Sequence, residues 1–199
     1  MTRLSPLLWT ALAVCVAGAS RAVAQQPDPL VKLDPASRFA IEAMIDSAQV
    51  AGLPWRVLLG RAQEGIAKKA DNRRIVAAVR ERLARLRDAR AMLGAVGDQD
   101  LGAAAAVLEA GVKPEQLAPL KNPPRGRSLL TALTVLGDLV SKGVPRDEAS
   151  SAIVKLWQGG AADADFMGLF RGVERDILQG LNPGAALQNQ IRQLPGRAP

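Results

Sequence analysis

Ser151 and Lys155 stand four residues apart in VPRDEASSAIVKLW. On a helix that spacing puts them one turn apart. A lysine beside a serine is one of the few nucleophilic pairs open to a chain without histidine. No glycine-rich loop precedes the pair to hold an oxyanion, and its turn reads as solvent-facing, so a solvated pair is expected. Asp163-Ala164-Asp165 has the D-x-D spacing that holds a metal-bound nucleotide sugar in some transferases. It follows Gly159-Gly160 at a helix start, where capping is the simpler role. Asp98-Gln99-Asp100 after Gly97 reads the same way and lacks the later ligands of a calcium loop. Glu64 and Glu148 could each serve as a lone general acid against glycan. Such sites need an aromatic-lined cleft, and surface or first-turn positions are expected instead.

Composition narrows the chemistry further. The 199 residues contain no histidine and no tyrosine, and the single cysteine, Cys15, lies near the N-terminus. Ser-His-Asp and Cys-His catalysis, zinc sites built from His or Cys, and histidine-ligated haem are therefore closed. Carboxylate pairs, a Ser-Lys dyad, a Schiff-base lysine and oxygen-ligated metals remain open. From Gln25 onward the aromatics are Phe39, Trp55, Trp157, Phe166 and Phe170. That is thin for sites that stack sugars or single-stranded nucleic acid. Trp157 falls on the apolar side of its helix with Ile153 and Leu156 and is expected in the core. Trp55 follows the Pro54 corner and is the better candidate for an exposed contact. No cofactor is implied.

The basic stretch from Arg56 to Arg90 stands out. It holds eleven Lys and Arg against four acids, Glu64, Asp71, Glu81 and Asp88, in a chain whose total charge is +7. Arg73, Arg80 and Arg87 recur every seven residues and so line one edge of a helix beside its apolar stripe. Either they flank a helix–helix seam and pair with acids on the neighbour, or they meet an anionic polymer or lipid surface. The seam is the expected role, because charge runs are usually solvated faces.

The elements that position these residues are helices. Ile75, Val76, Val79, Leu83, Leu86 and Leu93 form one apolar stripe; Leu129, Leu130, Leu133, Leu136, Leu139 and Val140 form another. No segment alternates with period two. Between stripes the chain repeats a corner: GLPWR from Gly52, GVKPEQ from Gly111, GVPRDE from Gly143 and GLNPG from Gly180. Glycine takes the left-handed position past a helix end, the aliphatic folds back on the last turn, and proline opens the next helix. Helices are predicted over 35–51, 54–68, 71–94, 98–110, 114–120, 128–142, 145–158, 163–179 and 183–193. The expected fold is all-α, an irregular array of short antiparallel helical hairpins with Gly-aliphatic-Pro corners. Sliding the chain by 91 residues lays Gly52-Leu53-Pro54 on Gly143-Val144-Pro145 and Arg80 on Arg171, a likeness that common helical grammar accounts for as well as duplication does.

The N-terminus reads as an export signal. Arg3 precedes an apolar run from Leu4 to Gly18, and Ala22-Val23-Ala24 is a small-x-small site, so cleavage is expected between Ala24 and Gln25. Residues 25–34 are expected to be loose, 35–193 to form a single helical domain, and 194–199 to be a tail. The break Asn122-Pro123-Pro124-Arg125-Gly126 divides subdomains 35–120 and 128–193, with 121–127 as linker. Loss of Cys15 with the signal leaves a disulfide-free chain in an oxidising compartment.

EGIAKKADNRRIVAAVRERLARL and LVSKGVPRDEASSAIVKLWQGGAADADF resemble segments of secreted α-helical proteins of GC-rich bacteria. The resemblance spans most of the chain after Ala24. It implies an envelope location, periplasmic or secreted, with no activity and no catalytic residues attached. The expected function is a non-catalytic interaction or scaffolding role with a protein partner in the envelope. Binding of anionic surfaces through Arg56–Arg90 is the alternative, and carboxylate-only catalysis is a third.

Overall fold

The computed structural model describes residues 29–124 and 126–193. The expected cleavage site at Ala24 and Gln25 and the tail 194–199 lie outside the described residues. The chain folds into α1 (Pro35–Val50), α2 (Trp55–Ala67), α3 (Asn72–Leu93), α4 (Asp98–Glu109), α5 (Pro114–Leu117, continued by a 3₁₀ turn over Ala118–Leu120), α6 (Leu130–Ser141), α7 (Arg146–Gln158), α8 (Asp163–Leu178) and α9 (Pro183–Gln193). No strand occurs among the described residues, and the class is all-α.

Helix stops are local. Gly143, at φ +89°, donates its N–H to Val140, while Val144 donates to Leu139 across the last turn of α6. That pair of bonds caps the open carbonyls of a helix end, and the left-handed backbone it needs costs glycine nothing. The same two bonds close α1, α2, α4, α7 and α8. At the end of α2 the left-handed residue is Lys69, at φ +53°, where a side chain is strained. Val112 and Val144, the aliphatic residues of two corners, are buried under the turn they close.

The core is one connected cluster. Ile75, Val79, Leu83, Leu86 and Leu93 point inward from α3, and Leu133, Leu136 and Leu139 from α6 are sealed from water. Each such leucine contributes about 2 kcal/mol by leaving water. α4 lies between α3 and α6 and offers them Ala104 and Ala105, whose short side chains let both neighbours approach. Leu117 and Leu120 before the 121–127 stretch, and Leu129 after it, belong to the same cluster. The chain just ahead of α1 also contributes to the core. Leu30 and Leu33, joined by a turn in which the Leu33 N–H donates to the Leu30 carbonyl at 3.0 Å, are buried in it.

Candidate functional site

α1 and α3 pack side by side and run the same way. At their starts Asn72 Nδ2 donates to Asp34 Oδ2 at 2.7 Å. Toward their ends Arg87 Nη2 donates to Ser47 Oγ at 3.1 Å, and Arg90 Nη2 to the Gly52 carbonyl at 2.8 Å. This sets the edge of α3 that carries Arg73, Arg80 and Arg87 along α1, with all three residues exposed. Successive members stand about 10 Å apart along the helix. Arg87 reaches across the seam, but to a hydroxyl. Among the described residues none of the three side chains meets a carboxylate.

Four of the neighbouring bases are paired with acids. Arg61 and Lys68 both bind Glu64, at 2.8 and 2.6 Å, and Arg85 lies between Glu81 and Asp88. Arg82 binds Glu109 of α4 at 2.7 Å. The acid-to-arginine seam contact that the sequence leads one to expect in the Arg73 row therefore occurs at Arg82, on the inner side of α3. Neither Arg82 nor Glu109 stood out in the sequence. The available signal was Glu109 as the lone acid closing the apolar run AAAAVLEAG.

Proton affinities follow these contacts. Hydrogen bonds from Lys68 and then Arg61, with their charges, hold the Glu64 carboxyl down at about 2. A general acid needs the opposite shift. Burial raises the Glu109 carboxyl while Arg82 pulls it down, and burial lowers the Arg82 guanidinium. Glu148 accepts from Gln188 Nε2 at 3.0 Å.

The remaining candidates resolve into structural contacts. Ser151 and Lys155 are both exposed, whereas the buried Ser150 donates its hydroxyl to the Arg146 carbonyl at 2.8 Å. The cap residue of α8 is Ala162, not Asp163. Asp165 reaches back to accept from the Ala162 N–H at 2.7 Å. Asp100 does not cap its own helix. Its Oδ1 accepts from Ser128 Oγ at 2.7 Å and from the Leu129 N–H at 3.0 Å, at the start of α6. Asp71 Oδ1 accepts from the Arg73 N–H at 2.9 Å as an N-cap. Trp157 is buried and carries the Arg127 guanidinium 3.7 Å from its ring centre. The same guanidinium donates to the Ala161 carbonyl at 2.6 Å, beyond the end of α7. Trp55 is half-buried with Arg56 over its ring.

Two polar features escaped the sequence reading. Asp176 Oδ2 is buried and accepts from Asn189 Nδ2 at 2.7 Å and Gln190 Nε2 at 2.6 Å, and these bonds hold its carboxyl below the usual range. A cleft of about 370 Å³ lies where the Gly111 and Gly143 corners face each other, lined by Lys113, Gln116, Arg146 and Asp147. Three of its polar side chains are engaged: Arg146 Nε donates to the Ala110 carbonyl at 2.7 Å and Gln116 Nε2 to Asp147 at 2.6 Å. Comparison with protein-family models, with curated proteins and with solved structures finds no match to the chain.

Proposed function

We propose that the protein is an exported, non-catalytic interaction protein of the bacterial envelope. Its contact with an anionic partner is the arginine row of α3. One observation carries this reading: Arg73, Arg80 and Arg87 are exposed along one edge of α3 at a seven-residue spacing and lack carboxylates, whereas Arg61, Lys68, Arg82 and Arg85 have them. Charges left unpaired at regular spacing make a strip of positive potential that an anionic surface or polymer neutralises. The carboxylates Glu64, Glu109 and Asp176 are all held by neighbouring bases or amides, which fits an interaction role better than acid–base work.

The test is a triple variant, Arg73→Gln/Arg80→Gln/Arg87→Gln. Wild type is expected to bind heparin in a manner that weakens steeply with salt, and the variant to lose that slope while melting like wild type. A variant that melts lower but binds heparin unchanged would assign the row to the α1–α3 seam instead. Export is tested by intact mass: protein recovered from the periplasm or medium is expected to begin at Gln25, and recovery of a species retaining Arg3 would refute it.

A further inference from the structure

Large apolar side chains lie exposed beside the arginine row. On α1, Phe39 and Val50 keep 74% and 92% of their surface in water, and Val31, just ahead of the helix, keeps 64%. The opposite side of α1 sends Ser37, Ile41 and Ala48 into the protein. Phe39, Ala43 and Val50 fall on one outward face, at spacings of four and seven. Ser47, the residue that Arg87 reaches, lies about 80° around the helix from Phe39 and about 60° from Val50. The apolar face of α1 and the cationic edge of α3 therefore open toward the same side of the molecule. Between them α1 presents Ala40, Ala43 and Ser47, short side chains that leave room for phosphates to reach the guanidinium groups.

Resting on the reading above, we propose that the anionic partner is a lipid bilayer. It is met by the α1–α3 face lying in the membrane plane, with Phe39 and Val50 at the acyl boundary and Arg73, Arg80 and Arg87 at the headgroup phosphates. A charged polymer would use the arginines and leave Phe39 and Val50 with nothing to contact. A bilayer uses both. Among the described residues no helix is long and apolar enough to cross a membrane, so the contact is peripheral. Asp46 lies on the same face, exposed between Phe39 and Val50, and opposes binding to an anionic surface.

The exported protein and its variants are compared in one background on vesicles of phosphatidylcholine with and without phosphatidylglycerol, and on heparin. Wild type is expected to bind only the anionic vesicles. The triple arginine variant is expected to lose on the order of 100-fold in affinity, about fivefold per arginine near the surface. Phe39→Ala/Val50→Ala is expected to weaken vesicle binding about tenfold or more while leaving heparin binding and melting unchanged, because neither side chain is in the core. Asp46→Asn is expected to tighten vesicle binding. If the arginine variant loses heparin and vesicles alike but the Phe39/Val50 variant loses neither, the row is a general anion contact and the bilayer proposal is overturned. If wild type binds neither vesicles nor heparin at low salt, both readings fail.

Discussion

Arg82 Nη2 lies 2.7 Å from Glu109 Oε2, and the two side chains keep only 14% and 18% of their surface in water. For both groups burial is the leading influence on proton affinity, and it works against the charged form. Arg82 Nε is also buried without a hydrogen-bond partner. The pair at the α3–α4 seam is thus one in which desolvation weighs more than attraction.

Removing one partner is therefore expected to hurt more than removing both. Arg82→Met leaves the Glu109 carboxylate in a mostly buried site without its guanidinium and should cost about 3 kcal/mol. The double variant Arg82→Met/Glu109→Leu should be as stable as wild type or more so. Urea denaturation of the wild type, both singles and the double closes the cycle. Arg82→Met within ~0.5 kcal/mol of wild type would mean that the pair behaves as a surface one.

Acid should act on the α8–α9 contact. The Asp176 carboxyl is held below its usual range by Asn189 and Gln190. Its contribution is therefore complete above the unfolded Asp range, about pH 4, and is lost as pH falls through the lower folded value. Glu109, raised, has the opposite sign: stability falls as pH climbs from the ordinary Glu range through its folded value. Melting temperatures measured from about pH 6 to about pH 2 should show a steep acid limb. Asp176→Asn should flatten it and Glu109→Gln should not. Gly172→Ala should resemble Asp176→Asn, since an added methyl would overlap the Gln190 side chain and push it off the carboxylate.

The corners make a signed set. Gly143→Val should cost about 1–2 kcal/mol, because its φ of +89° strains any branched side chain. Lys69→Gly should stabilise by about 0.5 kcal/mol, relief of left-handed strain being partly offset by a freer unfolded chain. Gly97→Ala, in ordinary backbone with only Asp100 Oδ2 nearby at 3.9 Å, should cost about 0.5 kcal/mol or less. Equal melting of wild type and Gly143→Val would show that the turn is not held in this form.

Asp100 fastens α6 from a distance. Asp100→Ala removes the acceptor of the Leu129 N–H and the Ser128 hydroxyl and should cost about 1–2 kcal/mol. Ser128→Ala should cost about half that. Thermal melting of both variants checks the order.

What the sequence shows and what it hides divide by range. The helices of the described residues fall within two residues of the predicted spans, α5 being counted with its 3₁₀ turn, because most ends are decided within a few residues: a glycine past the turn, a proline or acid at the next start. Asp100, Arg82–Glu109 and Asp176 with Gln190 were not legible in their roles. Asp100 looks like the cap of α4 until α6 is set beside it, and Arg82 looks like any base of α3 until Glu109 faces it. Periodicity names the buried face of a helix but not the neighbour that the face meets. The same gap left Phe39 unremarked, since an exposed phenylalanine and a core one read alike until the packed side of α1 is known.

The main helix pairings never join elements more than two places apart in chain order: α1 with α2 and α3, α4 with α3 and α6, α8 with α6 and α9. Each helix can therefore find its partner soon after it forms, without closing a long loop. Chains of such low contact order fold in microseconds to milliseconds, and slow phases come from proline isomers rather than from the search for topology. The stop shared by α1, α2, α4, α6, α7 and α8 thus also keeps partners near in the chain, where pairing is quick.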